Sequence, residues 1–247
     1  MTIFHHIDRD KAVGFLAFYW WVPFRCWFVG IREEPMFIHE LLKRSTVLGK
    51  PWDIGLRSRV PVVHSLALLH QQGNNRSDQY GSDFALTIDV KGSVTLRKTA
   101  LFQTKVGDNH SATINRHQLD ATLAVPEFAG RGFTMALDRP RRSIRIQSID
   151  VLSAAFAASR QKTRKFDTTE WLASSDWIVR WFECDIGRPS SAVEGPSIEA
   201  LLSRYIVETS SEFPEYERPK VPLEREPRLV LVPEYWMHFS MTVGEGA

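Results

Sequence analysis

Residues 83–106 read DFALTIDVKGSVTLRKTALFQTKV, and the fold of the central part of the chain follows from this stretch. Phe84 to Val90 and Val94 to Val106 are rich in apolar and β-branched residues, which is typical of β-strands. Lys91-Gly92-Ser93 lies between them and is a turn signal. The stretch therefore predicts an antiparallel β-hairpin.

Three polar residues of this hairpin are predicted to converge. Asp83 opens the first strand, and pairing through the turn brings it beside Gln103 and Lys105 on the second strand. Gln103 and Lys105 share one face, since side chains alternate along a strand, and Thr104 lies on the other. A carboxylate and an amide oxygen suit a hard divalent cation such as Mg²⁺. Such an ion activates its bound water and stabilises the charge on an attacked phosphodiester, while a lysine orients the water.

The sequence around the hairpin alternates between helical and strand patterns. A helical pattern that includes Glu40 stops at Gly49 and Pro51, and residues 60–70 suit either a strand or a helix. After the hairpin, the patterns predict a helix at about 113–123, strands at 130–137 and 143–149, and helices at 155–159 and 171–183, the last capped by Asp167, Thr168 or Thr169. This order predicts an α/β core with a mixed sheet.

The end of the chain has a different composition. Beyond Gly187 the sequence is rich in proline and glutamate, and residues 205–247 carry five prolines. This composition indicates a segment that is loosely built or peripheral to the core. We therefore divide the chain into an aromatic N-terminal segment (1–31), an α/β core (32–187) and a C-terminal extension (188–247).

Bulk composition excludes several classes of protein. The 247 residues are 43% hydrophobic and 24% charged, which is ordinary for a globular chain. Two cysteines, Cys26 and Cys184, are too few for a disulfide framework, and the eight histidines lack zinc-finger spacing. The sequence has no glycine-rich phosphate loop between a strand and a helix, and no Gly-x-Ser-x-Gly motif. The formal net charge of +2 does not by itself indicate which class of molecule the protein binds.

The aromatic segment from Ala12 to Ile31 reads AVGFLAFYWWVPFRCWFVGI. Twenty apolar residues is the length of a membrane span, but Pro23 and Arg25 lie inside the run, and a central arginine is costly in lipid. No small-residue cleavage site of a signal peptide follows. Buried strands or a self-association surface are favoured over a membrane anchor, and the protein is expected to be cytoplasmic.

A basic region follows the hairpin. Residues 131–165 contain nine basic residues and only two acidic ones. Guanidinium and ammonium groups at this density give salt-sensitive affinity for nucleic acid. The residues expected to bind nucleic acid form two clusters: Arg139, Arg141, Arg142 and Arg145, and then Arg160, Lys162, Arg164 and Lys165. The alternative is that these charges only solvate two surface loops.

The arrangement of Glu40 in a helix, Asp83 opening a strand, Gln103-Thr104-Lys105 in the next strand and Gln118 in the following helix resembles the PD-(D/E)XK nuclease superfamily. The resemblance covers residues 32–138 and is to the variant with Gln in place of the acidic residue, as in Mrr-like restriction nucleases. It implies a restriction-endonuclease-like α/β core: a helix, a mixed β-sheet with an antiparallel hairpin, a helix and a strand, here with N- and C-terminal additions.

The resemblance also implies a function. It implies Mg²⁺- or Mn²⁺-dependent hydrolysis of phosphodiester bonds, usually in DNA, in a setting of bacterial restriction or antiviral defence. Asp83, Gln103 and the Thr104 carbonyl would bind the metal, Lys105 would serve the attacking water, and Glu40 would be an accessory acid. Asp78 and Asp89 are alternatives to Glu40. Because Gln103 is neutral, a second hypothesis is a non-catalytic module that binds nucleic acid or assembles with itself, and a third is a membrane-attached protein.

Overall fold

The structure, a computed structural model, describes residues 62–69, 82–91, 95–138, 143–157, 159, 161–182, 184–188, 197–209, 213–216, 233 and 235–242. Its strands are β1 (Val62–Leu69), β2 (Phe84–Lys91), β3 (Leu96–Gly107), β4 (Ser111–Asn115), β5 (Gly132–Asp138), β6 (Ser143–Ser148), β7 (Thr163–Asp167), β8 (Leu172–Ala173), β9 (Ile206–Thr209) and β10 (Tyr235–Thr242). Its α-helices are α1 (Arg116–Leu123), α2 (Ile149–Ala157), α3 (Ser174–Phe182) and α4 (Ile198–Ser203), with a 3₁₀ turn at Pro126–Phe128.

Eight of these strands form one mixed sheet in the order β8-β6-β5-β3-β2-β10-β1-β9. The predicted hairpin is confirmed: β2 and β3 pair antiparallel, with Phe84 opposite Phe102 and Val90 opposite Leu96. The chain then crosses through α1 to β5, which pairs parallel with β3. The prediction of an α/β chain with a mixed sheet is therefore confirmed.

The helix predicted at about 113–123 begins only at Arg116. Residues 111–115 form β4 instead, which pairs antiparallel with β7 in a separate two-stranded ribbon. Ala112 and Ile114 point to the core, and their alternation with polar residues is the strand period rather than the helical one. Asn115 ends the strand and caps α1, since its Oδ1 accepts a hydrogen bond from the backbone N–H of His117.

The other local predictions have mixed outcomes. The strands at 130–137 and 143–149 are confirmed as β5 and β6, and residues 62–69 form a strand. The helix predicted at 155–159 begins earlier, at Ile149. The helix predicted from residue 171 begins at Ser174, and the cap expected at 167–169 is wrong. Asp167 ends β7, and its Oδ1 accepts from the N–H and hydroxyl of Thr169 in a local turn.

The expectation that residues 205–247 are peripheral is wrong for β10. This strand lies inside the sheet, antiparallel to β1 and parallel to β2. Its side chains from Trp236 to Phe239 are buried. Proline content gave no sign of this position, because β10 follows the last proline and pairs with strands far away in sequence.

The two faces of the sheet are covered differently. We call the face that carries Ala85, Leu101 and Ala136 the front face: there α4 packs near β1 and β2, while α1 and α2 pack near β5. On the back face, Trp177 of α3 packs at right angles against Phe133, with ring centroids 5.0 Å apart. Trp181 stacks on Trp177. The tryptophans of α3 are therefore core residues, as their spacing indicated.

Residues 1–61, with the aromatic segment and Glu40, lie outside the described residues. None of the helices that the structure describes combines the length and hydrophobicity needed to cross a bilayer.

Candidate active site

The structure brings Asp83 and Thr104 together at the open end of the hairpin, whereas the Gln103 side chain lies on the other face of β3 from that of Thr104. The register of β2 with β3 ends at Phe84 opposite Phe102, so Asp83 lies one residue beyond the paired part of the strand. Its backbone N–H donates to the carbonyl of Phe102 at 2.6 Å. The carboxylate of Asp83 is held by Thr104: its Oδ2 accepts from the backbone N of Thr104 at 2.5 Å and from Oγ1 at 2.7 Å.

Gln103 is the unusual member of this group. Its side chain is 1% exposed, yet among the described residues neither its Oε1 nor its Nε2 has a hydrogen-bond partner. Strand β5 pairs parallel with β3, and Thr134 of β5 is the residue opposite Gln103. The Thr134 hydroxyl is also buried and has no hydrogen-bond partner among the described residues. An unpaired buried amide costs about 1–3 kcal/mol, so such groups are rare in folded proteins. This pair of orphan groups marks a polar position on the front face.

Lys105 follows two residues later on the same face of β3. It stands opposite Ala136 of β5, half-buried, and among the described residues its ammonium forms no ion pair. Arg145 of β6 lies on the other side of Ala136 from Lys105, so the three residues are in register across the sheet. Nη1 of Arg145 donates to the Trp171 carbonyl at 3.2 Å. Lys105 is therefore the cation nearest in register to Gln103.

Helix α1 packs on the front face, where its Leu119 joins a core cluster with Ala136 of β5. Gln118 and Thr122 are buried and lie one turn apart on the same side of the helix. A Cβ atom on Gly132 would lie 3.3 Å from Cγ2 of Thr122 and 2.2 Å from Cδ1 of Ile149, so the helices approach β5 where it has no side chain. A helix that connects parallel strands runs back against them.

The oxygens at this site fit a divalent cation in type. Asp83 supplies a carboxylate, Gln103 an orphaned amide oxygen and Thr104 a carbonyl, and Mg²⁺ takes such oxygens with several waters. Asp83 is the one carboxylate among these three ligands. In the described part of the chain, no group of three or more His, Cys, Asp or Glu side chains could hold a metal ion. Glu40 and Asp78 lie outside that part.

Asp89, the other alternative to Glu40, is far from this site. It lies near the turn end of β2, where its Oδ2 pairs with Arg97 at 2.9 Å and with Lys91 at 3.8 Å. Six residues of an extended strand separate it from Asp83, a distance of about 20 Å. Asp89 therefore cannot share a ligand with Asp83.

The expected nucleic-acid-binding residues divide into three groups. Arg139, Arg141, Arg142 and Arg160 lie outside the described residues. Arg145 and Arg164 are engaged by the protein. Arg145 donates to the Trp171 carbonyl, while Arg164 Nη1 donates to the Ala155 carbonyl at 2.6 Å and its guanidinium lies 5.1 Å from the ring centre of Phe166. Lys162 and Lys165 are exposed, and Lys165 stands opposite Thr113 on the outer side of the β4–β7 ribbon.

Sequence reasoning missed a second polar group, which we call the His238 cluster: Thr87, Asp89, Arg97, Tyr216 and His238. Arg97 lies 5.3 Å from the Tyr216 ring centre, and the rings of Tyr216 and His238 are 5.9 Å apart. His238 is fully buried, and neither ring nitrogen has a hydrogen-bond partner in the part of the chain that the structure describes. Burial lowers the pKa of His238 to about 4. The only available signal was the presence of Tyr216 and His238 in the C-terminal extension.

Lys98 is a buried lysine on the back face, and the sequence pattern gave no indication of its burial. Its Nζ donates to the carbonyls of Trp181 and, at 2.8 Å, of Ile186. Burial lowers its pKa to about 8. These bonds tie the end of α3 to the sheet, so the role of Lys98 is structural.

Comparison of the chain with protein-family models, with curated proteins and with solved structures yields no match.

Proposed function

We propose that this protein is a metal-dependent nuclease that hydrolyses phosphodiester bonds in DNA. The observation that carries the proposal is the Asp83 carboxylate held by Thr104, next in sequence to Gln103, whose buried amide oxygen has no hydrogen-bond partner among the described residues. That oxygen, the Asp83 carboxylate and the Thr104 carbonyl would hold Mg²⁺ or Mn²⁺. When bound, the ion would supply Lewis-acid stabilisation of the phosphoryl oxygens and a more acidic bound water.

The side chains have separate roles in this proposal. Thr104 fixes the Asp83 carboxylate through two hydrogen bonds, so this ligand is oriented before substrate arrives. Lys105 lies on the same face as Gln103, where its ammonium orients the attacking water and offsets negative charge on the phosphate. Lys162 and Lys165 attract the DNA backbone without reading its sequence.

A second candidate function is a non-catalytic DNA-binding module with the same fold. The observation that favours it is the low negative charge of the site, where Gln103 replaces an acid. The two candidates differ in metal binding. Calorimetric titration that gives no heat with Mg²⁺ or Mn²⁺, together with salt-dependent DNA binding, supports the module and contradicts the nuclease.

The decisive experiment is a cleavage assay on single- and double-stranded DNA, with Mg²⁺, with Mn²⁺ and with EDTA. The nuclease proposal expects cleavage that EDTA abolishes and that falls at least about 100-fold in Asp83→Ala and in Lys105→Ala. Asp176→Ala and Lys91→Ala, both at exposed positions away from the site, are the matched controls. Cleavage at wild-type rate in Asp83→Ala would overturn the assignment, as would its absence with either metal.

A further inference from the structure

A cleft of about 340 Å³ lies on the back face of the sheet, at the end where β5 begins and β6 ends. Its floor is apolar and is formed by Phe133, Ile146, Leu172 and Trp177. This volume is at the lower end of the range for small-molecule sites. The cleft therefore suits a small ligand with a substantial apolar part.

Two glycines shape the wall of this cleft. Gly130 and Gly187 both line it and both have a positive φ, +69° and +71°. A Cβ on Gly187 would lie 2.9 Å from Cδ1 of Trp181, and a Cβ on Gly130 would lie 3.1 Å from Cγ and Cδ of Arg188. The Arg188 side chain therefore lies along the backbone at Gly130.

Two of the described residues that line the cleft are charged, Arg188 and Asp150, and they lie at the same end of it. Gly130, beside Arg188, is two residues before the start of β5, and Asp150 is two residues after the end of β6. Ser148, the last residue of β6, pairs with Phe133 at the start of β5. A positive and a negative group therefore stand beyond the same edge of the apolar floor.

Neither of these charges is neutralised by an ion pair within the described part of the chain. Arg188 is exposed, and Asp150 accepts a hydrogen bond from the neutral hydroxyl of Ser148 at 3.1 Å. Carboxylate oxygens accept several hydrogen bonds, so Asp150 keeps the capacity to bind a cation. The end of the cleft can thus bind one anionic and one cationic group.

A second arginine adds to the positive charge beside Gly130. Arg131 is buried, and burial lowers its pKa; Glu199 opposes this shift, and the like charge of Arg188 adds to it. Arg188 is therefore near another cation. A carboxylate bound at Arg188 reduces the repulsion between the two guanidinium groups, and guanidinium geometry matches a carboxylate.

We propose that this cleft binds a free α-amino acid with a large apolar side chain. An α-amino acid carries its carboxylate and its ammonium on one carbon atom, and the side chain extends away from both. The carboxylate pairs with Arg188, the ammonium with Asp150, and the side chain lies on the floor against Phe133 and Trp177. The site is on the opposite face of the sheet from Gln103 and Lys105, so it is independent of the proposed nuclease function.

The test is calorimetric titration of the full chain with four compounds. L-phenylalanine has both charges and an aromatic side chain, phenethylamine lacks the carboxylate, 3-phenylpropionate lacks the ammonium, and glycine lacks the side chain. We expect L-phenylalanine to bind with a Kd on the order of 0.1 mM and each of the others at least about tenfold more weakly.

Two variants assign the charges to their partners. Arg188→Ala is expected to weaken L-phenylalanine binding about tenfold and to leave phenethylamine binding within about twofold, because phenethylamine has no carboxylate to lose. Asp150→Asn, which keeps an acceptor for Ser148, is expected to weaken L-phenylalanine similarly and to leave 3-phenylpropionate within about twofold. The matched controls are Arg180→Ala and Asp120→Asn, which are exposed and outside the cleft.

Absence of heat with L-phenylalanine at about 10 mM would overturn the proposal. Phenethylamine or 3-phenylpropionate binding as tightly as L-phenylalanine would also overturn it, because the cleft would then recognise only an apolar group. An equal loss of L-phenylalanine and phenethylamine binding in Arg188→Ala would show that Arg188 shapes the cleft rather than binding a carboxylate, and would contradict the assignment. DNA cleavage is not a readout of this test, so the two proposals succeed or fail separately.

Discussion

The Asp83 carboxylate accepts two hydrogen bonds from Thr104, one from its backbone N at 2.5 Å and one from its hydroxyl at 2.7 Å. The acid at the open end of the hairpin is therefore oriented by the residue next to Gln103. Removing the hydroxyl tests this relationship without changing the size of the side chain.

We expect Thr104→Val to lower the free energy of unfolding by about 2 kcal/mol, because a hydrogen bond to a charged group is lost in a buried place. Urea denaturation measures this change, and Thr113→Val on the exposed face of β4 is the control. If the nuclease proposal holds, cleavage also falls in Thr104→Val, since Asp83 is less well oriented. A variant as stable as wild type would contradict the structural role of this bond.

Gln103→Glu tests the metal site through stability rather than activity. A carboxylate at this buried position is unpaired without a cation, so we expect a markedly lower melting temperature than wild type in EDTA. Mn²⁺ should restore much of the loss, because a ligand present at about 100 times its Kd adds about 2.7 kcal/mol to stability. The control is Gln161→Glu at an exposed position. Equal responses of wild type, Gln103→Glu and Gln161→Glu to Mn²⁺ would argue against a cation at Gln103.

Because His238 is buried, we expect the free energy of unfolding to depend on pH in a specific way. Burial lowers its pKa from 6.5 to about 4, so the unfolded chain binds a proton between these values that the folded chain does not. Stability from this residue is present above pH 6.5 and is lost as pH falls towards 4, by about 3 kcal/mol in total.

His238→Phe should remove this part of the pH dependence. Phenylalanine retains an aromatic ring between Phe213 and Tyr216 and leaves no unpaired ring nitrogen. Urea denaturation at pH 7 and at pH 4 measures the change, with His117→Gln on the surface of α1 as the control. The same pH dependence in His238→Phe as in wild type would be inconsistent with a neutral, buried His238.

Lys165 and Arg164 are neighbours with different predicted roles. Lys165→Ala should reduce the slope of log K against log salt by about 0.9 for duplex DNA, as expected for one lost phosphate contact. Arg164→Ala should leave that slope unchanged and instead lower stability by about 1 kcal/mol, because its bond to Ala155 and its contact with Phe166 are lost. DNA titrations at several salt concentrations and urea denaturation measure both effects. The reverse pattern would show that the outer side of the ribbon does not face DNA.

The β2–β3 hairpin could be predicted from sequence because it depends on local order. One turn signal at Lys91–Ser93 and two β-rich runs determine the register of a hairpin within a few residues. The same is true of β5 and β6. What could not be predicted is the burial of the Gln103 amide, because Gln103 lies beside Thr134 of β5, a strand that is not adjacent to β3 in sequence.

The sequence by itself determined the hairpin and the crossover to β5, because alternation, turn residues and caps act over short segments. The tertiary structure alone decided the position of β10. Trp236 donates to the Thr87 hydroxyl at 2.8 Å across 149 residues of chain, and no local pattern encodes a pairing at that separation. The backbone groups of β10 form hydrogen bonds with β1 on one side and with β2 on the other. This pairing also buries the β10 side chains from Trp236 to Phe239 away from water, which stabilises the strand inside the sheet.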